Sequence, residues 1–260
     1  MILIIETGEL IVSKLNNKVA VVTGAARGLG QAICKRLADD GAKIAMADIL
    51  DCGETAELCG IDAENIVHRH CDITSAEDIA ALKAEVDSRL GGCDILVHSA
   101  GIFPNCPFED MTFEFWKKVL SVNLDSAFHL CKAFVPGMKE KKWGRIIGIS
   151  SNTFHVAPGT MSAYVASKGG LIGLHRVLSS EYADFGITAN TVAPMLTRTA
   201  GAEEHFGKDN ELFNIVLDWQ DIKRPAEAAD VVGAVAFLAC DDSAFITGQT
   251  IPVDGGTIKL

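Results

Sequence analysis

The apolar run Val19-Ala-Val-Val22 leads straight into Thr23-Gly24-Ala25-Ala26-Arg27-Gly28-Leu29-Gly30, and an amphipathic stretch, Gln31 to Asp40, follows. A strand that feeds a glycine turn and then a helix constrains this chain more than any other feature. Glycines permit the sharp turn and a close backbone approach, while the helix N-terminus offers free N–H groups and the positive end of its dipole. That arrangement suits a pyrophosphate. The spacing G-x-x-x-G-x-G also occurs in turns that bind nothing, so its place between a first strand and a first helix carries the reading.

Downstream, short apolar runs alternate with helical patterns. Strands are predicted at Val19–Thr23, Lys43–Ala47, Ile66–Cys71, Ile95–His98, Arg145–Ile149, Thr188–Val192 and Thr250–Val253. Short runs without alternation are expected of strands buried on both faces of a parallel sheet. Ala76–Leu90, with Ile79, Leu82 and Val86, and Ala226–Ala239, with Val231, Val235 and Leu238, carry helical apolar stripes. Gly41, Gly91 and Gly186 stand where helices would stop. The fold class is therefore α/β: a doubly wound, Rossmann-type, seven-stranded parallel sheet flanked by helices, in a single domain. Residues 1–14 read as an N-terminal extension and 15–260 as the domain. The stretch 195–222 breaks the alternation; it is either a lid over the crevice at the sheet's carboxyl edge or an extra packed helix pair.

Composition narrows the function classes. With 48% apolar residues in 260, the chain can bury a full core. A net charge of −11 argues against nucleic acid and anionic membrane as partners. The N-terminal Met1-Ile-Leu-Ile-Ile5 lacks a basic lead and is interrupted by Glu6 and Glu9, so neither a signal peptide nor a membrane span is expected. Cysteines at 34, 52, 59, 71, 93, 106, 131 and 240 show no zinc-site spacing. They are expected to be reduced core thiols of a cytoplasmic protein, with no metal site.

Asp48 ends the second strand about twenty residues after the glycine turn, where a carboxylate can accept from both adenosine ribose hydroxyls and repel a 2′-phosphate. Arg27 in the turn points the other way, since a guanidinium can pair with that phosphate. A carboxylate against a dianion in a crevice is the costlier conflict, so NAD is expected rather than NADP. Asp72 and Ile73 end the third strand and Ser99-Ala100-Gly101 ends the fourth. These residues either approach adenine and ribose or merely form caps and turns.

Tyr164 and Lys168, four apart at the start of a helix, share one face. A neighbouring ammonium favours the phenolate and lowers the tyrosine pKa, so Tyr164 can exchange the alcohol proton. Ser151, beyond the fifth strand, can hydrogen-bond the reacting oxygen. Asn123 lies in an apolar helix where asparagine is unfavourable, which implies a buried hydrogen bond or a role in a proton relay. Read from the residues alone, Tyr-x-x-x-Lys is usually a surface pair and Ser151 a helix-start or turn serine; the combination with the glycine turn points to a nicotinamide-dependent oxidoreductase.

Thr23–Gly30, Asp72, Ala100-Gly101, Asn123, Ser151, Tyr164, Lys168 and Pro194 together resemble the short-chain dehydrogenase/reductase family, from about residue 15 to Ile246-Thr-Gly-Gln-Thr-Ile-Pro-Val-Asp-Gly-Gly256. The resemblance implies that Tyr164 is the acid/base and that Lys168 lowers its pKa and holds the nicotinamide ribose. It gives Ser151 the substrate and Asn123 the relay, places Pro194, Met195 and Thr197 beside the cofactor, and implies a homotetramer. Two departures stand out: His98-Ser99-Ala100-Gly101 replaces Asn-Asn-Ala-Gly, and Pro194-Met195 replaces Pro-Gly. Within the family, Gly101–Phe108 through Lys118 and Lys132–Met138 through Arg145 are similar to bacterial 1-phenylethanol and 1-(4-hydroxyphenyl)ethanol dehydrogenases. Ser151-Asn-Thr-Phe154 is similar to a pyridoxal dehydrogenase. An apolar or aromatic secondary alcohol and its ketone are thus the expected substrate pair, in a pocket of Phe103, Asn152, Phe154, His155, Met195 and Leu196. Alternatives within the family are pyridoxal, sugar-alcohol and 3-oxoacyl thioester chemistry, and outside it a non-catalytic dinucleotide sensor.

Overall fold

All seven predicted strands form, and the computed structural model orders them into one parallel sheet; it describes residues 2–4, 10–207 and 211–259. Two short strands come first, β1 (Ile2–Ile4) and β2 (Leu10–Val12), paired antiparallel within the predicted extension. The main sheet comprises β3 (Val19–Thr23), β4 (Lys43–Asp48), β5 (Ile66–His70), β6 (Ile95–His98), β7 (Gly144–Ile149), β8 (Ile187–Pro194) and, at the end of the chain, β11 (Thr250–Val253). Its spatial order is β11-β8-β7-β6-β3-β4-β5. From β3 the chain first winds outward through β4 to β5, then returns to β6 and winds the other way. The switch falls between β3 and β6, the place where doubly wound sheets open a ligand crevice.

Side-chain period explains the layers. Ala20 and Val22 of β3 face one core with Ile33 and Leu37 of α1 (Gly28–Asp39) and Val231 and Val235 of α10 (Ala228–Ala239). Val19 and Val21 face the other core with Ile79 and Leu82 of α3 (Ala76–Leu90), and Phe134 and Met138 of α5 (Ser126–Lys141). Alternate residues of one strand thus hold two helical layers. The second layer also receives α4 (Phe113–Leu120) and α7 (Ser162–Tyr182), while α2 (Gly53–Cys59) lies beside α1. Helix α3 starts at Ser75, whose hydroxyl accepts from Asp78 N–H, and ends at Gly91 in the left-handed region. Seven of the eight cysteines are buried thiols, and burial pushes Cys131 up to about 12, which keeps that sulfur protonated.

The 195–222 stretch contributes β9 (Thr197–Arg198), α8 (Ala200–Phe206) and α9 (Leu212–Trp219). Thr197–Arg198 pairs in parallel with β10 (Ala226–Glu227), which is why the helix predicted from Ala226 begins two residues later. Met195, Val216 and Ala226, with Leu196 and Leu212 against them, form a third apolar cluster separate from the two sheet cores.

His98 shows how this chain accommodates its departure from Asn-Asn-Ala-Gly. Its register partner across β6 and β7 is Gly148, where a Cβ would come 2.7 Å from His175 Cε1 of α7. The missing side chain makes room for the buried imidazole of His175, and His98 is a second buried imidazole nearby. Ser126 Oγ donates to Val122 O at 2.6 Å and therefore accepts from His98 Nε2–H at 2.8 Å; His175 Nδ1–H donates to Leu171 O at 2.9 Å. Each ring is neutral, and burial holds the pKa at about 3 for His98 and about 4 for His175. Both lie below the unfolded value of about 6.5, so between those limits the unfolded chain binds more protons and stability falls as pH falls. Two such groups give a slope of about 3 kcal/mol per pH unit near pH 5. Urea titrations at pH 7, 6 and 5 should show this slope, and a His98→Asn/His175→Asn double variant should flatten it; equal slopes would refute the assignment.

Candidate active site

A crevice of about 1260 Å³ runs along the carboxyl ends of the strands, large enough for a dinucleotide and a small substrate together. At one wall lies the glycine turn. Gly24 has φ +68°, and a Cβ there would come 2.8 Å from Ala100 Cα, so only glycine lets the turn after β3 pack against the turn after β6. Thr23 Oγ1 accepts from Ser99 N–H and Ala100 N–H, both at 3.2 Å, which fixes the same two turns side by side. Helix α1 opens at Arg27 without a side-chain cap and without an acidic residue in its first turn. Its N–H groups and dipole thus stay available to an anion in the crevice, and these residues fit a dinucleotide pyrophosphate.

Further along, Asp48 Oδ2 accepts from Ala26 N–H and Oδ1 from Leu50 N–H, both at 3.0 Å. The carboxylate is thereby anchored to the glycine turn while facing the crevice. Asp72 and Ile73 line the crevice too, but Asp72 Oδ1 accepts from both the N–H and the hydroxyl of Thr74. Those bonds hold its carboxyl below the usual range and give it the turn role. Gly28, Leu29, Gly30, Ser99, Ala100, Gly101, Pro194, Met195 and Thr197 all line the crevice as well.

The catalytic candidates converge at the crevice's middle. Tyr164 and Lys168 project from the first turns of α7, one helical turn apart, and Lys168 Nζ lies 5.6 Å from the tyrosine ring centroid. Ser151, just past β7, accepts from Thr153 N–H at 3.2 Å and lies near enough to Tyr164 to lower its phenol pKa. Nζ donates to Ile149 O at 2.7 Å, and burial lowers the ammonium to about 8. The tyrosine departs from expectation. Although it retains some accessible surface, burial outweighs the lowering influence of Ser151 and raises its phenol. The ammonium is turned toward the Ile149 carbonyl, so it does not offset that burial.

Asn123 sits in a single π-helical turn, Ser121–Asp125, between α4 and α5 rather than within a regular helix. Its Oδ1 accepts from Ile102 N–H and its Nδ2 donates to Ile102 O, both at 2.8 Å, with a third bond to Ser167 Oγ at 3.0 Å. This buried amide clamps the backbone after Gly101. A Cβ on Gly101 would meet Asn123 Oδ1 at 3.2 Å and Lys168 Nζ at 3.3 Å, so the two side chains share one small space.

A family profile described as enoyl-(acyl carrier protein) reductase matches residues 24–257. The chain belongs to the short-chain dehydrogenase/reductase family. It is 35% identical over 252 residues to a D-β-hydroxybutyrate dehydrogenase of Rhizobium meliloti, covering 92% of this chain and 98% of that protein. It is 35% identical to a 3-oxoacyl-[acyl-carrier-protein] reductase of Vibrio cholerae, covering 95% and 99%. A structure assigned as a short-chain alcohol dehydrogenase from Sinorhizobium meliloti superposes with a TM-score of 0.88 at 33% identity, covering 95% and 98%. Like other short-chain dehydrogenases, the protein is an oxidoreductase that binds a nicotinamide dinucleotide. Among the described residues no helix is long and apolar enough to cross a membrane.

In this short-chain dehydrogenase the substrate end differs from expectation at two positions. Phe103, Asn152, Met195 and Leu196 line the crevice, whereas Phe154 and His155 lie outside it. They belong to a short helix, α6 (Thr153–Val156), whose opposite side carries Thr153 and Val156 into the crevice. Phe154 lies instead over Gly169 of α7, where a Cβ would meet its ring at 2.6 Å, and stacks edge-on against His155. Phe115, Val119 and Val122 also form wall and were not anticipated. Their spacing of three and four is the signal, since it puts them on one face of the helix that leads to Asn123.

Proposed function

We propose that the protein is an NAD-dependent dehydrogenase interconverting an apolar secondary alcohol, of the 1-aryl-ethanol type, and its ketone. The observation that carries this reading is the wall beside Tyr164. Phe103 stands edge-on to the tyrosine ring at 6.4 Å between centroids, and Val156, Met161, Met195, Leu196, Leu212 and Trp219 complete an apolar surround. Asn152 supplies a polar group there, its Nδ2 donating to Met195 Sδ. When bound, the nicotinamide supplies the hydride acceptor or donor. Ser151 holds the substrate oxygen, Tyr164 takes its proton in oxidation or returns it in reduction, and Lys168 orients the ribose and replenishes the phenol proton with Asn123. Asp48 favours NAD, because a 2′-phosphate would lie against its anchored carboxylate.

Residues 195–222 act as a lid in this reading, and the active protein is a cytoplasmic homotetramer acting on a small molecule. A second reading, a 3-hydroxy acid or 3-oxoacyl thioester substrate, draws on the names of the relatives and on Lys118, which also lines the crevice.

Absorbance at 340 nm with NAD and NADP, against 1-phenylethanol, 1-(4-hydroxyphenyl)ethanol, pyridoxal, 3-hydroxybutyrate and acetoacetyl thioester, tests both. NAD-linked turnover of an aryl-ethanol is the expected result. Turnover confined to the acid or thioester overturns the first reading in favour of the second, and turnover confined to NADP overturns the role given to Asp48.

A further inference from the structure

We propose that Glu204 is a cofactor-specificity residue, acting by holding Arg27 in an ion pair that also latches α8 onto the glycine turn. Arg27 is the cation in the turn suited to a 2′-phosphate, and its Nη1 is paired with Glu204 Oε2, a residue 177 positions away. Two further contacts show that α8 is fitted to this spot. A Cβ on Gly28 would come 3.3 Å from Thr199 Cβ, so the residue that caps α8 already touches the turn. Gly201, in the first turn of α8, lies where a Cβ would be 3.8 Å from Arg27 Nε, so the guanidinium passes over a position with no side chain. Arg27, Asp48, Gly201 and Glu204 line the same crevice.

The electrostatic consequence differs from that of Asp48 alone. Asp48 repels a 2′-phosphate directly, whereas Glu204 neutralises the one group in the turn that would attract it. NADP must break the Arg27–Glu204 pair to gain a phosphate contact, and doing so frees α8 from the turn. NAD leaves the pair intact. Discrimination between the cofactors is thereby tied to the seating of the segment that covers the crevice. The inference rests on a nicotinamide dinucleotide occupying this crevice with its adenosine end near Asp48.

The Arg27 side chain is about half exposed and that of Glu204 about two-thirds, so a substitution at Glu204 does not threaten the fold. An exposed ion pair is worth at most about fivefold in an equilibrium. Calorimetric titration of the full-length protein with NAD and with NADP gives the readout independently of turnover. In Glu204→Gln the Kd for NADP should tighten about fivefold relative to that for NAD, the worth of the pair no longer being lost. In Glu204→Gln/Arg27→Ala that gain should vanish, because no guanidinium remains to be released. An unchanged ratio of the two Kd values in Glu204→Gln, or a gain that survives Arg27→Ala, overturns the latch. Should the unaltered protein bind NADP more tightly than NAD, the NAD preference fails, yet the two variants still decide the role of Glu204.

Discussion

Replacing Tyr164 by phenylalanine is expected to lower turnover by about a thousandfold in both directions, with cofactor affinity nearly unchanged. The substitution removes one oxygen and nothing else. The ring keeps its edge-on contact with Phe103, and Lys168 keeps its bond to the Ile149 carbonyl, so the crevice should stay in place. What disappears is the proton donor and acceptor at the substrate oxygen, leaving Ser151 able to orient that oxygen but not to exchange its proton. The pH profile follows from the same group. Burial raises the Tyr164 phenol, and oxidation needs its deprotonated form, so oxidation should quicken as pH rises through the neutral range. Reduction needs the protonated form and should lack that rise. Steady-state rates for Tyr164→Phe, together with titration of the cofactor, check the result. Near-full turnover in a folded variant would remove Tyr164 from the chemistry.

The largest structural effect is expected at Gly30. A Cβ there would lie 1.9 Å from Gly24 O and 2.7 Å from its carbonyl carbon, both backbone atoms of the turn that α1 packs against. No rotamer relieves a clash with backbone, so Gly30→Ala must either displace α1 or open the turn. Its cost should be about 3 kcal/mol, which for a chain of this length lowers Tm by about 10 °C. Cofactor affinity should fall with it, since the same movement misplaces the free N–H groups. Gly60 offers the contrast. It also has a positive φ, +64°, but nothing lies within 4 Å of its added Cβ. Gly60→Ala should therefore cost only the backbone strain, about 1 kcal/mol. Thermal melts of the two variants separate steric collision from conformational preference.

The sheet was legible because its strands are buried on both faces, and their apolar runs are bounded by glycines and caps that work locally. The candidate catalytic set was legible for a different reason. Tyr164 and Lys168 share a helix, and Ser151 follows a recognisable strand, so local spacing already sets their relation. Asn123 was legible as a residue out of place, but its π-turn was not, because one extra residue in a helical repeat leaves no mark in an apolar pattern. Phe154 and His155 show where composition misleads. An aromatic beside Ser151 reads as pocket wall, yet the direction of a short helix decides which of its residues face inward. Here the bare backbone of Gly169 offered Phe154 another place. Glu204 was invisible for the plainest reason: its partner lies 177 positions earlier, and no local pattern encodes such a pair.

Met195, Val216 and Ala226 pack with one another and stand apart from the two cores that support the sheet. Met195 and Val216 also line the crevice, so substitutions there can reshape it while the packing of Ile33, Leu82 and their neighbours stays the same. Such a division separates the shape of the crevice from the packing that sustains the fold, so the one can change without weakening the other.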